Sequence, residues 1–181
     1  MSDAEPKQVE FPISAQIADW SRERKTLLAW DPARSLLASL RTYQRHFESR
    51  SLLAWALRKN AVFRHRFWSA VTGADIPLNC NIGGGLMMPH PNGIVIHPAA
   101  TVGPNCLIFQ QVTIGIGNGG APTIMGNVDI GAGAKLLGAI VVGPRAKIGA
   151  NAVVLRDVPE AATAIGVPAR IVTRTRSGDP T

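Results

Sequence analysis

Cysteine, tyrosine and charge are all scarce in this 181-residue chain: it has two cysteines, one tyrosine and a charged fraction of only 17%. Cys80 and Cys106 lie far apart with no metal-type spacing, so neither a zinc site nor a disulfide is expected, and they read as buried thiols of a reducing, cytoplasmic compartment. No apolar stretch approaches the roughly 18 residues of a membrane span, which excludes integral membrane association through a helix. The N-terminus, with Asp3, Glu5 and Glu10, lacks the basic-then-apolar layout of an export signal. Acids are fewer than bases, 12 against 19, giving a formal charge of +7. Aromatics make up only 6% of the chain and do not interleave with the cations as in a nucleic-acid module, so no nucleic-acid partner is expected.

Hydrophobic residues, in contrast, reach 46%. A soluble chain this apolar is expected to cover part of its surface with copies of itself. The excess positive charge collects early: the first 72 residues hold 12 Lys or Arg against 7 Asp or Glu, with Arg41, Arg45, Arg50, Arg58, Lys59, Arg64 and Arg66 closely spaced. A solvated helix face, an acidic lipid surface, a polyanionic acceptor or the phosphates of a cofactor would each account for that run.

Two periods divide the chain. Asp31-Pro32 has the N-cap and first-turn pairing of a helix start, and Leu36, Leu37, Leu40, Tyr43 and Phe47 then fall on one stripe at helical spacing. A second helical run holds Leu52, Leu53, Ala56, Leu57, Val62, Phe63, Phe67 and Trp68 and ends at Thr72-Gly73. From Asp75 the period becomes six. Ile96, Val102, Ile108 and Ile114 form one series, and Ile124, Ile130, Leu136, Val142, Ile148 and Val154 another. Glycine follows several of them, at Gly103, Gly115, Gly131, Gly143 and Gly149, and is expected to supply corner dihedrals; Ala134, Ala146 and Ala152 stand two residues before. Short strands joined by corners, three to a coil, would stack the sixth residues into a continuous core. The step from Ile114 to Ile124 is ten, so Ile116–Pro122 must loop off the prism, and Pro89–Gly93 marks a second irregularity. The expected organisation is a flexible N-terminus over 1–13, a helical region over 14–72, a parallel β-helix over 73–159 and a cap and tail over 160–181. Six-residue periods build β-helices of unrelated activities, so the repeat speaks to architecture before chemistry.

Several stretches together resemble the serine acetyltransferase branch of the hexapeptide-repeat acyltransferases. They are Gly73-Ala74-Asp75-Ile76-Pro77, His90-Pro91-Asn92-Gly93-Ile94-Val95-Ile96, Gln111-Val112-Thr113-Ile114-Gly115, Ile130-Gly131-Ala132-Gly133-Ala134-Lys135-Leu136-Leu137-Gly138, Ala146-Lys147-Ile148-Gly149-Ala150, Val153–Pro159 and Gly166-Val167-Pro168-Ala169-Arg170-Ile171. The resemblance implies a mainly β fold, a left-handed parallel β-helix with an α-helical N-terminal region. It also implies a homotrimer, with a dimer of trimers left open, and active sites in the grooves between chains. Acetyl-CoA would be the co-substrate, with Gly115, Ala132 and Ala150 along its track and Lys147 and Arg170 near its phosphates. The family's catalytic histidine and its supporting aspartate match His90 and Asp75, and Asp31 resembles an aspartate that contacts the acceptor.

The chemistry fits these residue types. A neutral hydroxyl attacks a thioester poorly and needs a base; imidazole titrates near neutrality, and a carboxylate on its far nitrogen would fix the tautomer. His97, beside Pro98, reads as structural, and His46 and His65, among arginines, read as surface residues. Three departures from the family pattern concern the acceptor. Pro89 replaces an acid before the histidine, Gly120-Ala121 replaces an arginine-histidine pair, and the segment from Asp31 to Asp75 is short. Losing both charge partners of an amino acid weakens L-serine as acceptor without excluding it, whereas a saccharide hydroxyl needs no charge clamp; the expected function is an acetyl-CoA-dependent O-acetyltransferase resembling serine acetyltransferase, with the choice between L-serine and a saccharide open. A non-catalytic trimeric scaffold is the reading from another class.

Overall fold

The computed structural model describes residues 13–26 and 29–172; most of the expected flexible N-terminus, and the tail from 173 onward, lie outside the described residues. Two helices precede a parallel β-solenoid of about five turns. Asp31 caps α1 (Pro32–Arg45), its side chain accepting from the Arg34 N–H, and Ser51 caps α2 (Leu52–Thr72) in the same way through Ala54. Gly73, in the left-handed region at φ 66°, ends α2.

The solenoid has three faces of two- and three-residue parallel strands. One carries Val95–Ile96, Thr113–Gly115, Lys135–Leu137 and Val153–Val154; the second Asn81–Ile82, Thr101–Val102, Thr123–Ile124 and Val141–Val142; the third Leu107–Ile108, Asp129–Ile130, Lys147–Ile148 and Thr163–Ile165. Arg170–Val172 folds back antiparallel on the third face. Every residue of both six-residue series points inward and is buried, and register stacks Ile96, Ile114, Leu136 and Val154 directly upon one another. Cys80 and Cys106 are free and buried, standing two before Ile82 and Ile108 in the slot that alanine fills at 134, 146 and 152. Burial pushes both thiols up to about 11, so they serve as small core residues.

The glycines following the inward residues do not carry the corner dihedrals. The left-handed residue stands instead three before the inward one, at Asn105, Gln111, Asn127, Arg145 and Asn151 as well as Gly133. Glycine at 103, 131 and 143 is required by close approach of the next coil: an added Cβ would sit 2.6 Å from the Gly126 nitrogen, 2.6 Å from the Ala150 nitrogen and 2.5 Å from the Glu160 nitrogen, respectively. The insert after Ile114 makes its own small turn, with Gly117 and Gly120 bonded to each other and the Asn118 carbonyl accepting from Ala139.

Two sequence readings of the helical region change. His65 is buried at the α1–α2 contact, its Nδ1 3.2 Å from the Ser39 hydroxyl. Arg41 is not part of a solvated face: it forks onto Glu23 and donates to the Ile82 and Gly83 carbonyls, joining α1 to the first coils. Burial holds His65 below its ordinary value of 6.5, partly opposed by the Ile76 carbonyl and the Asp75 charge. The unfolded chain therefore takes up a proton that the folded chain refuses. Stability is complete above about pH 6.5 and is lost as pH falls toward the folded value. Urea unfolding at pH 7.5 and 5.5 should register that loss, and His65→Gln should flatten it; an unchanged pH slope would assign the effect elsewhere.

Candidate active site

The corner that carries His90 is longer than its equivalents. Register partners Met87 and Leu107, and Val95 and Thr113, place eight residues' advance from Met87 to Val95 where Leu107 to Thr113 takes six. The surplus holds Pro89 and His90 out on the surface. Below the bulge the chain is pinned: Gly93 N–H donates to the Gly73 carbonyl at 3.0 Å, and the Asn92 carbonyl accepts from Gln111 at 2.9 Å. Gly73, at φ 66°, holds the left-handed backbone that glycine favours, and an added Cβ would lie 2.9 Å from the Asn92 Nδ2 and push that side chain aside. The end of α2 and the histidine turn thus form one packed joint.

That joint borders a cavity of about 670 Å³. Its walls are the Leu86–Asn92 segment, the N-terminal end of α1 with the preceding Trp30 and Asp31, and Val71 and Thr72 of α2, with Arg22 also lining it. His90 and Asp31 therefore face a common space. Asp31 is already engaged: one oxygen accepts from the Arg34 N–H at 3.0 Å and the other lies 3.3 Å from the Arg34 guanidinium. Trp30 is 74% exposed at the rim and meets Trp68 edge-on at 5.5 Å between centroids. Arg22, Trp30 and Arg34 were not singled out in the sequence.

Asp75 is held through its backbone, donating to the Ile94 carbonyl and accepting from Ile96 on the strand that leaves the His90 turn. Its carboxylate is exposed and acts by charge on His65 and Cys80; among the described residues no hydrogen bond joins it to His90. The His97 ring accepts from the Ala99 N–H at 3.1 Å, as a structural corner residue would.

The residues expected along a cofactor track fall on different parts of one chain. Ala132 and Ala150 stack on the corner column of His90, bonded through Asn151 N–H to the Ala132 carbonyl. Gly115 lies at the other edge of the same face, in register with Leu137. Lys147 and Arg170 belong to the third face; Lys147 is 66% exposed and 4.0 Å from Asp129.

Most of this chain superposes on solved structures. A serine acetyltransferase in complex with CoA superposes with a TM-score of 0.66 at 39% identity, covering 80% of this chain and 59% of that one; one in complex with cysteine gives 0.67 at 37%, covering 87% and 63%. The chain is similar to the serine acetyltransferase branch of the hexapeptide-repeat acyltransferases. Its solenoid is accordingly a left-handed β-helix. Among curated relatives of this branch, the serine acetyltransferase of Haemophilus influenzae is 46% identical over 117 residues, 62% of this chain and 43% of the relative. That of Helicobacter pylori (strain 26695) is 44% identical over 111 residues, 59% of this chain and 64% of the relative. The chain thus spans between 43% and 64% of the length of these two relatives. No family model matches the sequence.

Proposed function

We propose that this chain is an acetyl-CoA-dependent O-acetyltransferase that transfers the acetyl group directly to an acceptor hydroxyl. The observation that carries this reading is His90, raised on a corner bulge and opening onto the cavity it shares with Asp31. The family relation supports it, because solved relatives are serine acetyltransferases, one of them in complex with CoA.

The residues present fit such a co-substrate. Ala132 and Ala150 leave the corner backbone open to an extended chain, and Lys147 and Arg170 are exposed cations suited to phosphate. Because Gly115 sits across the face from Ala132 and Ala150, a groove between two chains is the arrangement in which all would border one ligand. A homotrimer supplies such grooves. Outward apolar residues on the prism, Val95, Val141 and Leu155, support packing of prism on prism. Acetyl-CoA supplies an acyl group activated as a thioester. His90 takes the acceptor's proton on an imidazole nitrogen as the hydroxyl attacks the thioester carbonyl, and passes it to the CoA sulfur as the C–S bond breaks, leaving an acetyl ester and free CoA thiol. Asp75 acts as a positioning residue, its backbone locked to the strand that leaves the histidine turn.

The acceptor divides into two readings, L-serine and a saccharide hydroxyl, and the cavity favours the second. Asp31 is neutralised by Arg34 and by the helix N-terminus, which weakens it as a partner for an ammonium group. Pro89 beside His90 adds no charge, and the cavity lies within the size range of pockets that take ligands much larger than a small amino acid. The test is CoA thiol release from acetyl-CoA with L-serine, homoserine and a set of simple sugars. Acceptor-dependent release is expected, faster with a sugar than with L-serine. Silence with every acceptor, together with no CoA binding, would leave a non-catalytic trimeric scaffold.

A further inference from the structure

The outward side of α2 is apolar where a solvated helix would be polar. At about 100° per residue, Leu52, Ala56, Phe63, Phe67 and Ala70 fall on one stripe, opposite the buried Ala54, Ala61, His65 and Thr72. Leu52 is 86% exposed, Phe63 74% and Phe67 51%. Cations flank the stripe: Lys59 and Arg66 with Trp55 on one side, Arg64 on the other, with the Lys59 ammonium 5.9 Å from the Trp55 ring centre. From Ser49 to Ala74 the chain carries five Lys or Arg and no Asp or Glu. Among the described residues, no carboxylate pairs with Arg58, Lys59, Arg64 or Arg66.

We infer that this face docks on the surface of an anionic lipid bilayer. An apolar, aromatic stripe edged by cations on a helix too polar to span the membrane is the composition of an interfacial helix: side chains enter the acyl boundary while Lys and Arg meet acidic headgroups. The charge pattern selects this occupant over a second copy. A two-fold contact of the face with itself would bring Lys59, Arg64 and Arg66 of both copies into one interface with no acid from this helix among them, and like charges repel. The surface also leads to the site, since Val71, at the end of the exposed side, lines the cavity that holds His90. Docking would bring the mouth of that cavity to the lipid surface.

Vesicle co-sedimentation of the full chain tests this, using phosphatidylcholine alone and phosphatidylcholine with phosphatidylglycerol, each at low and high salt. The expected result is at least tenfold tighter association with the anionic vesicles, weakened by salt. It should be lost in Phe63→Glu/Phe67→Glu and reduced in Lys59→Glu/Arg66→Glu. Both pairs are exposed, and circular dichroism checks that the variants fold. No association, equal association with both vesicles, or retained binding by the folded Phe63→Glu/Phe67→Glu variant would overturn the inference. A fall in oligomeric mass of that variant in analytical ultracentrifugation would overturn it too, assigning the face to contact between copies.

Discussion

His90→Ala lowers acetyl transfer by about 10²- to 10⁴-fold, the range for removing a general base, while the chain stays folded. That factor corresponds to roughly 3–5 kcal/mol of transition-state stabilisation. The ring is exposed and makes no hydrogen bond among the described residues, so its loss removes no structural contact. The bulge is held by backbone bonds through Gly93 and Asn92 and by the fit of Gly73 against Asn92, none of which involves the imidazole. Unfolding midpoints of wild type and variant should therefore agree, and the loss should fall on kcat with little change in the KM for acetyl-CoA. Full turnover in the variant would remove His90 from the mechanism and direct attention to His97, one corner further along.

Arg41→Ala is expected to cost about 3 kcal/mol or more of stability, because it strands a buried carboxylate. The Glu23 side chain is only 8% exposed and the Arg41 side chain 15%. One guanidinium closes three gaps at once: it forks onto Glu23 at 2.9 and 3.1 Å and caps the Ile82 and Gly83 carbonyls at 2.6 and 2.7 Å. Without it Glu23 keeps the Leu86 N–H at 3.1 Å but no counter-charge. Thermal unfolding should fall by roughly 6–12 °C for a chain of this size. Glu23→Leu added to Arg41→Ala should recover part of the loss, since an apolar pair strands no charge. Because Leu86 lines the cavity, the single variant should also raise the acceptor KM. A midpoint within 1–2 °C of wild type, about the shift from 0.5 kcal/mol, would mean the pair is only a surface contact.

The solenoid could be read residue by residue because its rule is local and repeated: each short strand buries one large side chain, and within an unbroken run the equivalent side chain of the next strand comes six later. Every position in the two series proved inward. The helix ends were legible for a similar reason, since the Asp31 and Gly73 caps act within one turn of the chain. The corner glycines were read for the wrong property, because their need is set by the neighbouring coil, whose contacting residues are 17, 19 and 23 positions away for Gly143, Gly131 and Gly103, rather than by their own dihedrals. Distance along the chain also hid His65, whose Ser39 partner is 26 residues off, and Arg41, whose carbonyl partners are 41 and 42 off. In the site, His90 was singled out by its irregular turn together with the family resemblance, the turn alone being a weak signal. Trp30, Arg22 and Arg34 gave no such signal: Arg22 and Trp30 stand ahead of α1 and Arg34 in its first turn, and they become cavity walls only when α1 packs beside the first coils.

The most direct measurement follows purified chain, acetyl-CoA and one hydroxyl acceptor in a single tube, recording free thiol and the acceptor's O-acetyl resonance together. Both should rise at equal rates and stop when either substrate is omitted. Thiol appearing at the same rate without an acceptor, or no O-acetyl signal from any serine or sugar, would contradict transfer to a hydroxyl at the His90 corner.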